Sequence, residues 1–315
     1  MGGNRHQSVR KGSWIDMFDD DNNASVSLCE AEPLPMINEV HYEDTLSIEY
    51  LRKIIELCQG NGIDVLLMNS PYLESQEDMK WNNRAQIIAD EYGIKLLDFN
   101  CLENLISYST DFYDGVHTNS LGARKVTKYL GNYLQNKCMI TARSEVDVIK
   151  RWDDYYEEYL EYKVDRLKQQ SKMESYMMLL CDSDYDTLVE VNSLECFEND
   201  LISKLFCNLG IFEEEIPSNA KYVCIKAGGR EISYVSEESA EQGTETVIGF
   251  LQISNMEDGG YAVMVDGNEA IIVDSVKKNN TKVNRFSVFR SSEKYNMLDK
   301  ASVFYTYDVE NSIIH

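Results

Sequence analysis

The chain has 315 residues, 43% hydrophobic and 27% charged, a composition that fits a folded globular protein and a length that suits two ordinary domains. Its net charge of -24 and pI near 4.5 argue against nucleic acid, whose phosphates must be neutralised by lysine and arginine, and against bulk attraction to an anionic membrane. No apolar run of about 18 residues occurs, so no membrane span is predicted.

Residues 1–44 read as an irregular segment. The basic start MGGNRHQSVRKGSW runs into acidic DMFDDDNN instead of an apolar stretch, which is not the pattern of a signal peptide. As written the chain is expected in the cytoplasm; a bacterial cell-surface location would need an anchor preceding Met1. From Thr45 the pattern becomes helical, with Leu46, Ile48, Leu51, Ile54, Ile55 and Cys58 at helical spacing and Gly60-Asn61-Gly62 as the stop. IDVLLMNS (63–70) is a continuous apolar run, predicted as a strand buried on both faces and ended by Pro71. A helix follows over about 77–92, then a buried strand IKLLDF (94–99) and a short helix near 101–107. The loop STDFYDGVHTNS leads into a helix from about Ser120 to Gln135. Helices and strands alternating through short glycine turns predict an α/β domain with a parallel sheet over residues 45–140.

A charged helix is expected from about Glu145 to Leu180, and residues 141–182 are read as a helical linker. Its Tyr155, Tyr156, Tyr159 and Tyr162 recur at helical spacing, more simply a packing face than a sugar-stacking platform. Residues 183–315 turn to strands: TLVEV (187–191), a helix at 197–210, then YVCIKAGG, REISYVSE, ETVIGFLQIS, YAVMVDGNEAIIVDS, NRFSVFR and ASVFYTYD. Asp266-Gly267-Asn268 between two apolar runs is a hairpin signal. This is a smaller, strand-rich α+β domain. The eight cysteines are scattered, with no CxxC pair and no adjacent histidine, so no zinc site is expected.

Of four histidines only His117 lies inside a well-patterned domain, three residues after Asp114. An imidazole that takes a proton from a nucleophile and a carboxylate that fixes its tautomer are the parts of a hydrolytic acid–base pair. The plainer reading has Asp114 capping a turn and Asn119 or Ser120 capping the helix. Ser70 ends the first strand and Asn69 stands beside it. Both are candidate site residues, Ser70 as a nucleophile and Asn69 as a donor to a substrate carbonyl, although a strand-end serine before proline needs no function. Trp81, Asn82, Asn83 and Arg84 open the second helix and are candidates for lining the same crevice, with plain packing the simpler account of Trp81.

DFYDGVHTNSLGARKVTKYLGNYL resembles the final block of SGNH (GDSL-like) hydrolases, in which Asp-x-x-His precedes a helix opening with small residues, here Gly122-Ala123. The upstream order of helix, IDVLLMNSPY, helix and IKLLDFN fits the same family over about residues 45–140, and the likeness is to its bacterial cell-surface branch. The resemblance implies a partial flavodoxin-like parallel sheet, with Asp114 orienting His117 as general base for a serine that cleaves or transfers an acyl ester. No metal or organic cofactor is implied. The family's Gly-Asp-Ser nucleophile block has no counterpart in residues 1–44. Residues 185–280 faintly resemble the interleukin-like epithelial–mesenchymal-transition-inducer fold, which implies an accessory that binds a glycan or a partner. Two functions are therefore expected: a serine ester hydrolase or acyltransferase module acting on acylated cell-surface glycans, or a catalytically inactive carbohydrate- or protein-binding protein.

Overall fold

The computed structural model describes residues 33–112, 116–169, 173–181, 185–226, 231–279, 284–289, 305–308 and 313–314. Its contacts divide the chain into two compact units, one ending at Thr141 and one beginning at Ala142. Both helices and strands are present in each, in keeping with a mixed α/β-type composition.

In the first unit, helix α1 (Leu46–Gly60) is capped by the Thr45 hydroxyl, which accepts from the Ile48 amide, and stops at Asn61 before Gly62 at φ 68°. Strand β1 (Leu66–Asn69) leads through a loop to helix α2 (Gln76–Glu91), where Ser75 and Asp78 form a capping box. Strand β2 (Lys95–Asp98) pairs parallel to β1, with Leu66 opposite Lys95 and Asn69 opposite Asp98. Ile48, Ile55 and Ile88 are buried together with Val65 and Leu67 packed against them, which puts α1 and α2 on one face of the pair. Helix α3 (Ser120–Lys137) meets the chain after β2 through an edge-to-face contact of Tyr129 with Phe99.

Three expectations change here. The run 63–70 is not a strand buried on both faces: only Leu66–Asn69 is extended, Ile63 is 56% exposed and Met68 is 46% exposed. Among the described residues β1 has a single strand neighbour, and the exposure of Met68 shows that its second face is incompletely covered. The strand at 94–99 is likewise shorter, and only Leu97 within β2 is buried. In place of a helix at 101–107 there is a single 3₁₀ turn at Phe99–Cys101. The Asp98 carboxylate draws in the Asn100 amide, and Asn104 at φ 59° turns the backbone out of the helical path.

The second unit opens with helices α4 (Val146–Gln169) and α5 (Met173–Cys181), where one continuous helix is expected; residues 170–172 lie outside the described residues. Tyr155, Tyr156, Tyr159 and Tyr162 are all half-buried, and every residue from Tyr176 to Cys181 is buried. Strands β3 (Asp186–Glu190), β4 (Ala220–Ile225), β5 (Ile232–Ser236), β10 (Arg285–Phe289), β11 (Tyr305–Asp308) and β12 (Ile313–Ile314) form an antiparallel sheet ordered β12-β11-β10-β3-β4-β5. Strands β6 (Thr244–Thr246), β7 (Gly249–Asn255), β8 (Tyr261–Val265) and β9 (Asn268–Val273) form an antiparallel meander. Asp266 at φ 49° and Gly267 at φ 80° make the two-residue turn between β8 and β9, as the hairpin signal predicts. Helix α6 (Asp200–Asn208) starts later than expected because Asn199 caps it, and the short helix α7 (Glu237–Gln242), capped by Ser236, was not anticipated.

The period-2 alternation of the central strands places Leu188, Tyr222 and Cys224 toward the meander, where they meet Leu251, Val263 and Ile271 in one buried cluster. The opposite face carries Val189, Val223 and Phe286, and Phe286 meets Tyr176 of α5 and Phe206 of α6 at 6.0 Å each. Glu190 is fully buried on the meander side. Its carboxylate binds Arg285 at 2.7 Å, lies 3.5 Å from Lys221 and accepts from the Tyr261 hydroxyl of β8, so one charged group ties the two sheets together. Ser287 adds a second link by donating to the Ala270 carbonyl at 2.8 Å.

Candidate functional site

His117 sits on the loop between β2 and α3, and the loop's base is pinned from several sides. Phe112 and Thr118 form an antiparallel bridge across its neck. The Asp111 side chain is fully buried; Lys125 of α3 donates to both its oxygens at 2.9 and 2.8 Å, and the Ser107 amide donates to Oδ2 at 2.8 Å. Asn119 caps α3 by accepting from the Gly122 amide at 3.1 Å, and its Nδ2 donates back to the Thr110 carbonyl at 2.7 Å. The Asn119 amide also donates to the Asp111 carbonyl at 2.9 Å.

Gly122 is what lets α3 come this close. A Cβ there would lie 2.3 Å from the Asp111 carbonyl oxygen, so any side chain would push the helix off the loop. His117, between the bridge residues Phe112 and Thr118, is exposed. Its expected partner Asp114 lies outside the described residues.

A second group of side chains gathers at the carboxyl ends of β1 and β2, where ligands of parallel α/β sheets bind. Asn69 Nδ2 donates to Glu74 Oε1 at 2.9 Å and to Asp98 Oδ1 at 3.1 Å, so both amide hydrogens are engaged inside the chain. Asn82 of α2 also donates to Glu74. Asn100 accepts from the Tyr72 amide at 3.0 Å, and Tyr108 donates to the Tyr72 carbonyl at 3.2 Å. Glu74 is only 5% exposed, and burial, with Asp98 nearby, holds its carboxyl above the ordinary range against the opposing amide bonds. Cys101 is exposed overall, but partial desolvation of its sulfur, with the Asp98 carboxylate beside it, pushes the thiol up to about 11.

The strand-end candidates fall into this region. Ser70 is exposed at the carboxyl end of β1, and its carbonyl accepts from Asn100 Nδ2 at 3.5 Å. The residues opening α2 divide between two tasks. Trp81 packs against the α1–α2 core and stacks on His41 at 4.4 Å, Asn83 donates to the Ile37 and Glu39 carbonyls, and Arg84 pairs with Asp44 at 3.0 Å. These three hold the leading segment 37–44 along α2, and Asn82 alone turns to the cluster. Glu74, Asp98 and Asn100 were not singled out from the sequence. The available signal was a polar residue directly after each apolar strand run, Asn69 in the first and Asp98 in the second.

Among the described residues no group of three His, Cys, Asp or Glu is placed to hold a metal ion, and no helix is long and apolar enough to cross a membrane. A family model that carries no functional description matches residues 31–139, close to the span of the first unit. No curated protein and no solved structure matches the chain.

Proposed function

We propose that the first unit is the acid–base part of an SGNH-type serine ester hydrolase or acyltransferase acting on acylated glycans. The observation that carries this reading is the braced loop: a buried ion pair, a cross-loop bridge and a capping asparagine fix the segment on either side of one exposed histidine. Such bracing preorganises a base and lowers the cost of orienting it during reaction. In this mechanism Asp114 orients the imidazole of His117, which takes the proton from a serine Oγ as that oxygen attacks the acyl carbonyl. The proton then passes to the departing alkoxide, leaving an acyl-serine. Water or a sugar hydroxyl releases the acyl group with His117 again as base, and neither metal nor organic cofactor takes part. Ser70 is the candidate nucleophile among the described residues. The strand-rich second unit would hold the glycan or a partner protein near this chemistry.

A second reading, a carbohydrate- or protein-binding protein without turnover, is favoured by the cluster around Glu74. Its amides and carboxylates at the carboxyl ends of both strands are the groups that bind sugar hydroxyls. Labelling the full chain with a fluorophosphonate probe and mapping the site by peptide mass spectrometry separates the two. The hydrolase reading expects one labelled serine and loss of labelling in His117→Ala. A folded wild-type chain that takes up no probe, or labelling unchanged by His117→Ala, rejects it.

A further inference from the structure

Three side chains of the second unit converge at the end of β3 in a way that strand alternation does not produce. Glu190 and Asn192 stand two residues apart, the spacing that places both on the meander side of the strand. Asn192 lies just past β3, where the backbone is still held: the Val191 amide donates to the Lys221 carbonyl at 2.8 Å, and the Asn192 amide to Asn284 Oδ1 at 2.7 Å. Tyr222, directly across from Glu190, faces the meander, so strict alternation would send its neighbour Lys221 the other way. The register against β5 slips between Ala220 and Tyr222, and a bulge of this kind re-aims a side chain. The Lys221 ammonium accordingly lies 3.5 Å from Glu190 Oε1 and donates to Asn192 Oδ1.

We infer that Lys221 and Asn192 become joined by an amide bond that the folded chain makes itself, with Glu190 carrying the proton. An amine displaces ammonia from a carboxamide only when it is neutral, held against the carbonyl carbon and served by a group that moves protons. The three side chains supply these parts. Glu190 takes a proton from the Lys221 ammonium. The neutral Nζ attacks Asn192 Cγ, and the carboxyl hands its proton to Nδ2 as it accepts the second one from Nζ. The Cγ–Nδ2 bond breaks, and the departing ammonia carries that proton away as ammonium, returning Glu190 to its carboxylate. No oxidant or further reactant is needed. Arg285, 2.7 Å from Glu190 Oε2, and the Tyr261 hydroxyl fix the carboxyl in place. Glu190 is fully buried and Arg285 is 3% exposed, which keeps bulk water from the proton carrier, whereas Lys221 is 23% exposed and leaves ammonia a way out. The bond ties residues 29 apart in sequence and closes the segment that carries α6 between β3 and β4, restricting the unfolded chain as a disulfide does.

Intact mass spectrometry of the full chain, denatured after purification in its folded form, tests this. The expected mass is about 17 Da below that of the sequence, one ammonia lost. Trypsin should then fail to cut after Lys221 and should release that peptide joined to the one containing Asn192. Asn192→Ala and Lys221→Arg should each show the full mass of their own sequence with the wild-type circular-dichroism spectrum, and both should melt lower. Asn192→Asp should lose about 18 Da, one water, and give the same linked peptides as the wild type. A folded wild-type chain at the full sequence mass overturns the inference and leaves Lys221 as a plain ionic partner of Glu190. A loss of the same mass that maps to a succinimide elsewhere overturns it too. A bond that forms to the same extent in folded Glu190→Gln overturns the role given to that carboxyl.

Discussion

Replacing Glu190 with alanine tests whether the second unit depends on a single buried charge network. The Glu190 side chain is fully buried and Arg285, directly across the β3–β10 ladder, is 3% exposed, so neither charge can turn to water when the other is lost. Removing one partner of a buried pair typically costs about 3–5 kcal/mol, because the remaining charge is left uncompensated. Tyr261 loses its acceptor as well, and burial beside Glu190 already holds its hydroxyl protonated far above the ordinary tyrosine range. In a unit of this size each kcal/mol moves the melting temperature by about 2–4 °C, so a fall of roughly 6–20 °C is expected. Thermal melts followed by circular dichroism measure it. A double variant, Glu190→Leu with Arg285→Met, should recover most of the loss, since replacing a buried pair by apolar groups of similar volume is often neutral. Melting of Glu190→Ala within about 2 °C of the wild type would refute the reasoning, as would losses from the two single changes that simply add.

Gly122→Ala should cost about 1–3 kcal/mol by overpacking against the Asp111 carbonyl, and should also lower any His117-dependent probe labelling; unchanged melting and labelling would show that the helix relaxes freely. Glu74, whose carboxyl is held high by burial, binds its proton more tightly folded than unfolded. Stability from this group is full below the unfolded carboxyl range and is lost as pH rises through the folded value, so Glu74→Gln should flatten that fall in denaturant titrations run from acid to neutral pH. A slope equal to the wild type would assign the dependence to other groups. Gly267→Ala forces a side chain into φ 80° and should destabilise the β8–β9 hairpin by about 1–2 kcal/mol, read as a lower urea midpoint.

Local signals in the sequence located most elements well. Thr45, Ser75 and Asn119 cap helices whose starts the pattern placed within a residue or two, and Asp266-Gly267 forms the turn its composition requires. Burial was less legible than element type. The run IDVLLMNS has the composition of a strand covered on both faces, but coverage depends on which other segments pack there, and Met68 and Ile63 remain open. The bracing beneath His117 was also only half visible. Gly122 stood out as a small residue in a motif, whereas the need for it comes from the Asp111 carbonyl eleven positions earlier, a contact that no spacing rule reports. The Glu74 cluster was only partly legible for the same reason: Asn69 and Asn82 were candidates, but its members come from β1, the loop after it, α2, β2 and the turn after β2, and only the parallel register brings Asn69 and Asp98 side by side.

The two polar assemblies of the first unit answer different physical needs, and this bears on where its chemistry lies. Around Asp111 the strong groups are engaged in fixing the loop: Lys125 and the Ser107 amide bind the Asp111 carboxylate and Asn119 holds the Thr110 carbonyl, in the segment that carries the exposed His117. Around Glu74 a carboxyl held above its ordinary range is balanced by amides that also hold the Tyr72 loop to the sheet. A ligand entering there must displace a bond for each one it makes, so affinity would come from exchange and would be modest. The bonds described at the base of the His117 loop run among Asp111, Lys125, Ser107, Thr110 and Asn119, so a molecule bound at the ring need not displace them. Chemistry that needs a preorganised base is therefore better served by the loop, and the cluster is better suited to holding the Ser70–Glu74 segment at the carboxyl end of β1. Labelling that responds to His117→Ala but persists in Glu74→Gln at reduced rate would fit this division. Labelling abolished by Glu74→Gln in a folded chain and unaffected by His117→Ala would reverse it.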